Sequence, residues 1–353
     1  MCLSEHDILA FTDGSLPPEQ LPRIDAHLAG CALCAQLVIE TLRALETGPE
    51  GWSDGSPSLR VFGPATLVAS RFVIQRFLGR GGMGEVYEAW DRRSERVVAL
   101  KTVRVSRSDD SQERLRLLSE VHLARKVDHP NVCRVHGSVV HIGAVAESGP
   151  VVHDRSRNPE KTLVAVMDFI DGDTLGHRVR RSGPLPVAEV RAIARDVLLG
   201  LTAIHAAGIA HLDIKSDNIM LPHARRPIAT VIDFGLARPL LRCQTLQNGD
   251  SFACGTACYM APEQVCGHAL GPFTDIFALA VVLFESVTGT LPGRAQATQS
   301  SPHIPPAALP LHPAQLVRDL PPAMDAFIAK CSSVDARDRY STAQVALACL
   351  DAI

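Results

Sequence analysis

The sequence predicts an α+β chain in which a small β-rich lobe precedes a larger helical lobe, with a short helical module ahead of both. Three observations predict this. Strand-like apolar runs concentrate between Arg71 and Met167, helix-length periodic segments dominate after Val187, and a stretch punctuated by Gly and Pro separates the first 46 residues from the rest. With 353 residues, 46% hydrophobic and 21% charged, the chain suits about two folded domains and is too apolar for a disordered one.

Residues 1–46 open with apolar Ile8, Leu9 and Phe11, which Asp13-Gly14-Ser15 interrupts before Pro17-Pro18 starts the next segment. Leu21, Ile24, Leu28, Leu33, Leu37 and Leu42 then recur at helix-like spacing. Residues 47–70 lack a clear period and carry Gly48-Pro49, Gly51, Asp54-Gly55, Ser56-Pro57 and Gly63-Pro64, the composition of a flexible linker. Strand patterns follow at Phe72-Val73-Ile74, Glu85-Val86-Tyr87 and Val97-Val98-Ala99-Leu100. A helical segment carries Leu115, Leu118, Val121 and Leu123, and Asp128-His129-Pro130-Asn131 fits its end. Further strands are expected near Cys133–Ile142 and Leu163–Met167, joined by an extended surface loop over 146–161. Long amphipathic helices are expected near Val187–Ala206, Asp275–Leu291 and Met324–Cys331, with an irregular excursion over 292–322. The lobes divide near residue 170, and a cleft between two lobes is a natural ligand site.

Composition excludes several classes. A net charge of −3 argues against broad nucleic-acid coating. The first 46 residues hold 7 acidic and 2 basic side chains against 31 and 33 in the remainder, so this acidic segment suits a protein partner better than a phosphate backbone. The apolar run around Phe277–Val287 is interrupted by Glu285, which argues against a membrane span, and the N-terminus lacks a basic region leading into an apolar stretch. A soluble cytoplasmic protein is expected. Its ten cysteines are too few for a disulfide scaffold of this length and should be reduced.

The chemistry lies in a few short segments. Gly79, Gly81 and Gly84 form G-x-G-x-x-G in Leu78–Val86, where the missing Cβ lets the backbone approach phosphates. Strand patterns on both sides favour a β-hairpin folded over a nucleotide; a dinucleotide site would need a helix after the glycines. Lys101 ends an apolar strand. Such a lysine usually points to water, but it can instead bind phosphate if a carboxylate holds it, and Glu120 on the next helix is the candidate partner. The polar run His211–Asn218 is bracketed by apolar Ile204, Ile209, Ile219 and Leu221. Within it, Asp213 can accept a hydroxyl proton, Lys215 can neutralise a migrating phosphoryl group, and Asn218 can bind metal. Asp233 directly follows a buried strand, and with Asn218 it offers the hard oxygen ligands that suit Mg²⁺.

Taken together, the glycine loop, Val98-Ala99-Leu100-Lys101, His211-x-Asp213-x-Lys215-x-x-Asn218, Asp233-Phe234-Gly235 and Ala261-Pro262-Glu263 occur in order at compatible spacing. Residues 71–353 therefore resemble the catalytic domain of Hanks-type (eukaryotic-like) serine/threonine protein kinases. The resemblance implies a bilobal protein kinase fold, ATP with Mg²⁺ or Mn²⁺, and transfer of the γ-phosphoryl group to Ser or Thr of protein substrates, with autophosphorylation and a homodimer that supports it. It implies that Gly79, Gly81 and Gly84 cover the phosphates and that Val86 and Ala99 line the adenine pocket. Lys101, paired with Glu120, contacts the α- and β-phosphates. Met167 guards the rear of the pocket, Asp168–Ile170 is the hinge that reads adenine, and Met220 forms the floor. Asp213 is the base, Lys215 steadies the γ-phosphate, and Asn218 and Asp233 hold the metal. Glu263 paired with an arginine in Asp335–Arg339, and Asp275 beneath the catalytic-loop backbone, are structural. A nucleotide-binding scaffold without phosphoryl transfer is the alternative.

Three positions depart from the family pattern. Leu212 replaces the arginine that receives an activation-loop phosphate, so less dependence on modification of Thr245 or Ser251 is expected. Ala257 follows Thr256 where a proline or larger residue is common, although Thr256 still fits serine/threonine specificity. Ala280 stands where glycine is common.

In the N-terminal segment, His27, Cys31 and Cys34 form H-x₃-C-x₂-C on an expected helix, with Cys2 the upstream candidate for a fourth zinc ligand and His6 the alternative. Two reduced core cysteines beside a surface histidine is the plainer reading. A metal staple would suit so small a segment. The segment resembles the zinc-binding anti-sigma-factor module, which implies Zn²⁺, a bacterial source and a regulatory protein partner.

Overall fold

Alternate residues of a β-strand face opposite sides, and this alternation organises the small lobe. The computed structural model describes residues 61–81, 84–102, 121–142, 161–224, 227–234, 237–240, 257–292 and 309–353. An antiparallel sheet in the order β1-β2-β3-β4-β6-β5 joins β1 (Leu67–Val68), β2 (Phe72–Gly81), β3 (Gly84–Asp91), β4 (Arg96–Thr102), β5 (Val135–Ile142) and β6 (Lys161–Asp168). One face packs Phe72, Tyr87, Val98, Leu100, Val164 and Val166 into the lobe's core. The intervening residues of β4, Ala99 and Lys101, turn to the other face.

The flexible linker expected over 47–70 needs correction at its end, because residues 61–70 are built into the small lobe. Phe62 and Val68 are buried in its core, and β1 pairs with β2 through Leu67↔Val73 and Val68↔Phe72. Gly and Pro set the turns of this segment, but two large apolar side chains decide where it docks.

Helical residues 121–124 bury Val121, Leu123 and Ala124, and the turn after them ties the lobes together. Asn131 donates its side-chain amide to Ala229 O at 3.0 Å, and its carbonyl accepts Val231 N–H at 2.8 Å. The helix that carries Gly200 passes so close to this turn that a Cβ there would meet Asn131 O at 2.8 Å.

The large lobe runs β7 (Gly172–Thr174), α1 (Leu175–Ser182), α2 (Val187–Ala206), β8 (Ile209–Ala210), β9 (Ile219–Pro222), β10 (Thr230–Val231), β11 (Arg238–Pro239), α3 (Pro262–Val265), α4 (Pro272–Thr288), α5 (Pro322–Cys331) and α6 (Ala343–Asp351). Helix α2 matches its expected span. Helix α4 is not amphipathic as expected: every residue from Thr274 to Val287 is buried, which makes it the lobe's central helix. Gly289, at φ 75°, ends α4 and donates its N–H to Glu285 O. Among the described residues no helix is long and apolar enough to cross a membrane.

Candidate active site

The loop 211–218 between β8 and β9 is held from below. Asp275, fully buried at the start of α4, accepts His211 N–H at 2.9 Å and Leu212 N–H at 2.7 Å, and His205 Nε2 lies 2.8 Å from its Oδ2. Burial alone would raise the Asp275 pKa, but the His205 bond and the loop amides outweigh it and hold the carboxyl below its ordinary range. Gln264 donates to Leu212 O at 3.1 Å. These bonds hold Leu212 at φ 63°, a conformation a leucine rarely adopts.

That platform brings Asp213, Lys215 and Asn218 together. Lys215 Nζ lies 2.9 and 3.2 Å from the two Asp213 carboxylate oxygens. Asn218 Nδ2 donates to Asp213 O at 2.9 Å and Oδ2 at 3.0 Å, an orientation that leaves its amide oxygen as the ligating atom. Burial pushes the Asp213 carboxyl above its ordinary pKa, Lys215 opposes the shift, and the negative charge of Asp233 adds to it. A buried carboxylate with a raised proton affinity is suited to general-base work.

Asp233 leaves β10 at φ 67°, another left-handed non-glycine position. Its neighbour Ile232 donates to Asn218 O at 2.9 Å, which ties the two metal-ligand candidates to one backbone link. From the small lobe, buried Lys101 donates to Asp233 Oδ1 at 2.7 Å. The strand-end lysine therefore points into the site rather than to water.

Strand register explains the wall above. Val86 lies opposite Lys101, and Ala99 lies opposite Met167, so the four share the Lys101 face. Asp168 N–H bonds Arg134 O at 3.0 Å where the chain leaves β6, with Ile170 half-buried just beyond. Met220 is half-buried on β9. In the glycine hairpin, Gly79 is opposite Val86 and Gly81 opposite Gly84, whose φ of 151° is reserved for glycine.

The structural pairs are buried. Arg339 forks onto Glu263 at 2.7 and 2.9 Å, satisfies Ser333 O, Val334 O and Phe273 O, and lies over the Phe277 ring. Leu212 packs with Ala210, Leu270 and Leu240, an apolar setting with no place for a phosphate receptor. One network escaped the sequence reading. Tyr259 donates to Glu285 at 2.6 Å and lies 2.9 Å from Ser216 Oγ, inside the lobe directly behind the catalytic loop. Glu285 is 6% exposed, and a lone glutamate inside an apolar helix was the available signal. Burial raises its pKa.

Glu120, Thr245, Ser251, Thr256, the 146–160 stretch and the candidate zinc ligands Cys2, His27, Cys31 and Cys34, with the alternative His6, lie outside the described residues. The donors that are described fit a nucleotide-bound Mg²⁺, since an amide oxygen and a carboxylate are hard oxygen ligands set beside a lysine that can take phosphate.

Comparison with known proteins agrees with this geometry. The protein kinase domain family matches residues 72–348. The chain is 35% identical over 308 residues to serine/threonine-protein kinase PknD of Mycobacterium tuberculosis, covering 85% of this chain and 41% of the relative. It is 30% identical over 282 residues to the probable serine/threonine-protein kinase PknB of Bifidobacterium longum, covering 79% and 39%. The chain thus spans less than half the length of these relatives. The solved PknI kinase domain of Mycobacterium tuberculosis shares the fold, with a TM-score of 0.59 at 22% identity over 82% of this chain and 99% of that one. The bilobal architecture and the matched family agree, and the chain belongs to the protein kinase domain family.

Proposed function

We propose that the chain is an ATP-dependent serine/threonine protein kinase acting on protein substrates. The observation that carries this reading is the convergence of Lys101, Asp213, Lys215, Asn218 and Asp233 from both lobes on one site. Lys101 binds the nucleotide's phosphates from above, and the face of Val86, Ala99 and Met167 receives the base, with Met220 beneath. Asn218 and Asp233 would hold Mg²⁺, which neutralises phosphate charge when bound. Asp213 orients the substrate hydroxyl and takes its proton as the oxygen–phosphorus bond forms and the bond from the γ-phosphorus to the bridging oxygen breaks to release ADP, while Lys215 balances charge on the transferred group. Its raised pKa sets the acid limb of the pH–rate profile above the ordinary carboxylate range, so activity falls with pH before a surface aspartate would titrate.

The apolar burial of Leu212 supports a kinase whose activity does not wait on phosphate at Thr245 or Ser251. Phosphatase-treated enzyme should keep its rate within about threefold. The H-x₃-C-x₂-C spacing and acidity of residues 1–46 support a zinc-binding regulatory module that engages a protein partner. The test of the activity is transfer from γ-labelled ATP with Mg²⁺ to a generic protein substrate, with mass-spectrometric mapping and Asp213→Asn as the blank. Label on Ser or Thr supports the reading. Label confined to Tyr, or equal in the blank, overturns it.

A further inference from the structure

A carboxylate with no exposed surface must find its partners inside the protein. Glu85, the first residue of β3 after Gly84, is 0% exposed. Strand alternation sets it on the face opposite Val86. Its Oε1 accepts two bonds from the Arg80 guanidinium, at 2.6 Å from Nη2 and 3.1 Å from Nε. Arg80 lies directly opposite Glu85, one step outside the Gly81↔Gly84 pair, so this ion pair clasps the two limbs of the glycine turn at its base.

The other oxygen faces a different segment. Oε2 accepts Val61 N–H at 2.8 Å and the Tyr87 hydroxyl, and that hydroxyl accepts Phe62 N–H at 3.1 Å. Glu85 N–H donates to Thr102 Oγ1 at 3.1 Å, which fixes the backbone against β4. Burial would raise the Glu85 pKa, but the bonds from Tyr87, Val61 and Arg80 outweigh it and keep the carboxyl ionised. One carboxylate therefore joins both limbs of the turn to residues 61–62, where the upstream chain enters the lobe.

We propose that Glu85 is a positioning residue for the glycine turn, and that residues 61–62 are a strap that helps set that turn for nucleotide binding. The proposal rests on the reading of that turn as the cover over the nucleotide's phosphates. Clasping the two limbs at Arg80 and Glu85 fixes the backbone that carries Gly79, Gly81 and Gly84. Because the clasp touches no reacting atom, its loss acts on ATP affinity rather than on the chemical step.

The test measures KM for MgATP, kcat and melting temperature for the full chain carrying Arg80→Met, Val61→Pro or Glu85→Gln. Arg80 is 41% exposed, so Arg80→Met spares the core if Glu85→Gln fails to fold. Val61→Pro removes the strap's N–H donor and exchanges a side chain packed at the edge of the core, so its KM is read against its melting temperature. Arg80→Met should raise KM for ATP roughly tenfold and Val61→Pro roughly threefold, with kcat changed less than about twofold and partial rescue by Arg80→Lys. Unchanged KM in both variants overturns the proposal, as does a loss that only follows the unfolded fraction. Wild-type chain that does not bind MgATP overturns the underlying reading as well, which separates the two failures.

Discussion

The pairs that brace the 211–218 loop from inside the large lobe and the pairs that brace the glycine hairpin of the small lobe are secured in opposite ways. In the large lobe, Arg339–Glu263, the amides on Asp275 and the Tyr259–Glu285 bond are sealed inside one continuous apolar core. In the small lobe, Arg80–Glu85 and Arg71–Asp91 each leave the arginine partly in solvent, and Lys101–Asp233, which bridges the lobes, leaves the aspartate partly so. A sealed bond fixes geometry and is costly to break from one side, whereas a half-exposed one can exchange partners with water or a ligand. On the proposed function, the difference gives the large lobe the task of holding the catalytic residues still and the small lobe that of gripping and releasing nucleotide.

The comparison breaks first at its sealed side. Arg339→Met strands the Glu263 carboxylate in the core and should cost about 3–5 kcal/mol in urea unfolding. A loss below about 1 kcal/mol would show that the pair is not a structural member. Phe62→Ala removes the largest apolar anchor of the strap and should cost about 3 kcal/mol, which near-wild-type stability would contradict. Leu212→Ala empties part of the cluster with Leu240 and Leu270 and should cost about 2 kcal/mol.

The smallest effect is electrostatic. The Asp275 pKa is lowered in the fold, so its contribution is complete above the unfolded value of about 3.9 and is lost as pH falls through the folded value. The unfolding midpoint should therefore stay level on this account between pH 5 and 8. It should then drop below about pH 4, and a midpoint that instead rises with acid would contradict the sign.

The sequence made the catalytic loop legible because its spacing is local: Asp213, Lys215 and Asn218 meet within six residues of chain. Helix α2 was legible for the same reason, with a long apolar period between Pro186 and Gly208. The strap was not, because Gly63-Pro64 reads as linker and only the apolar face of the folded sheet gives Phe62 and Val68 a place to dock. Lys101 and Asp233 stand 132 positions apart, and no periodicity links them. Helix α4 hid its centrality because a helix buried all round has no amphipathic signature, and Glu285, the charge near its end, read as an interruption rather than as a partner for Tyr259. The hydrogen-bond caps of α1 and α6, Thr174 and Thr342, were present in the sequence but their helices span only two to three turns.

The division between lobes is tested most directly by measuring MgATP affinity and single-turnover phosphoryl transfer side by side in wild type, Lys101→Met and Asp213→Asn. Asp213→Asn should bind MgATP within about threefold of wild type yet transfer at least about a thousandfold more slowly, whereas Lys101→Met should weaken binding roughly tenfold or more. Transfer by Asp213→Asn at the wild-type rate would contradict the assignment of the chemical step to the large lobe.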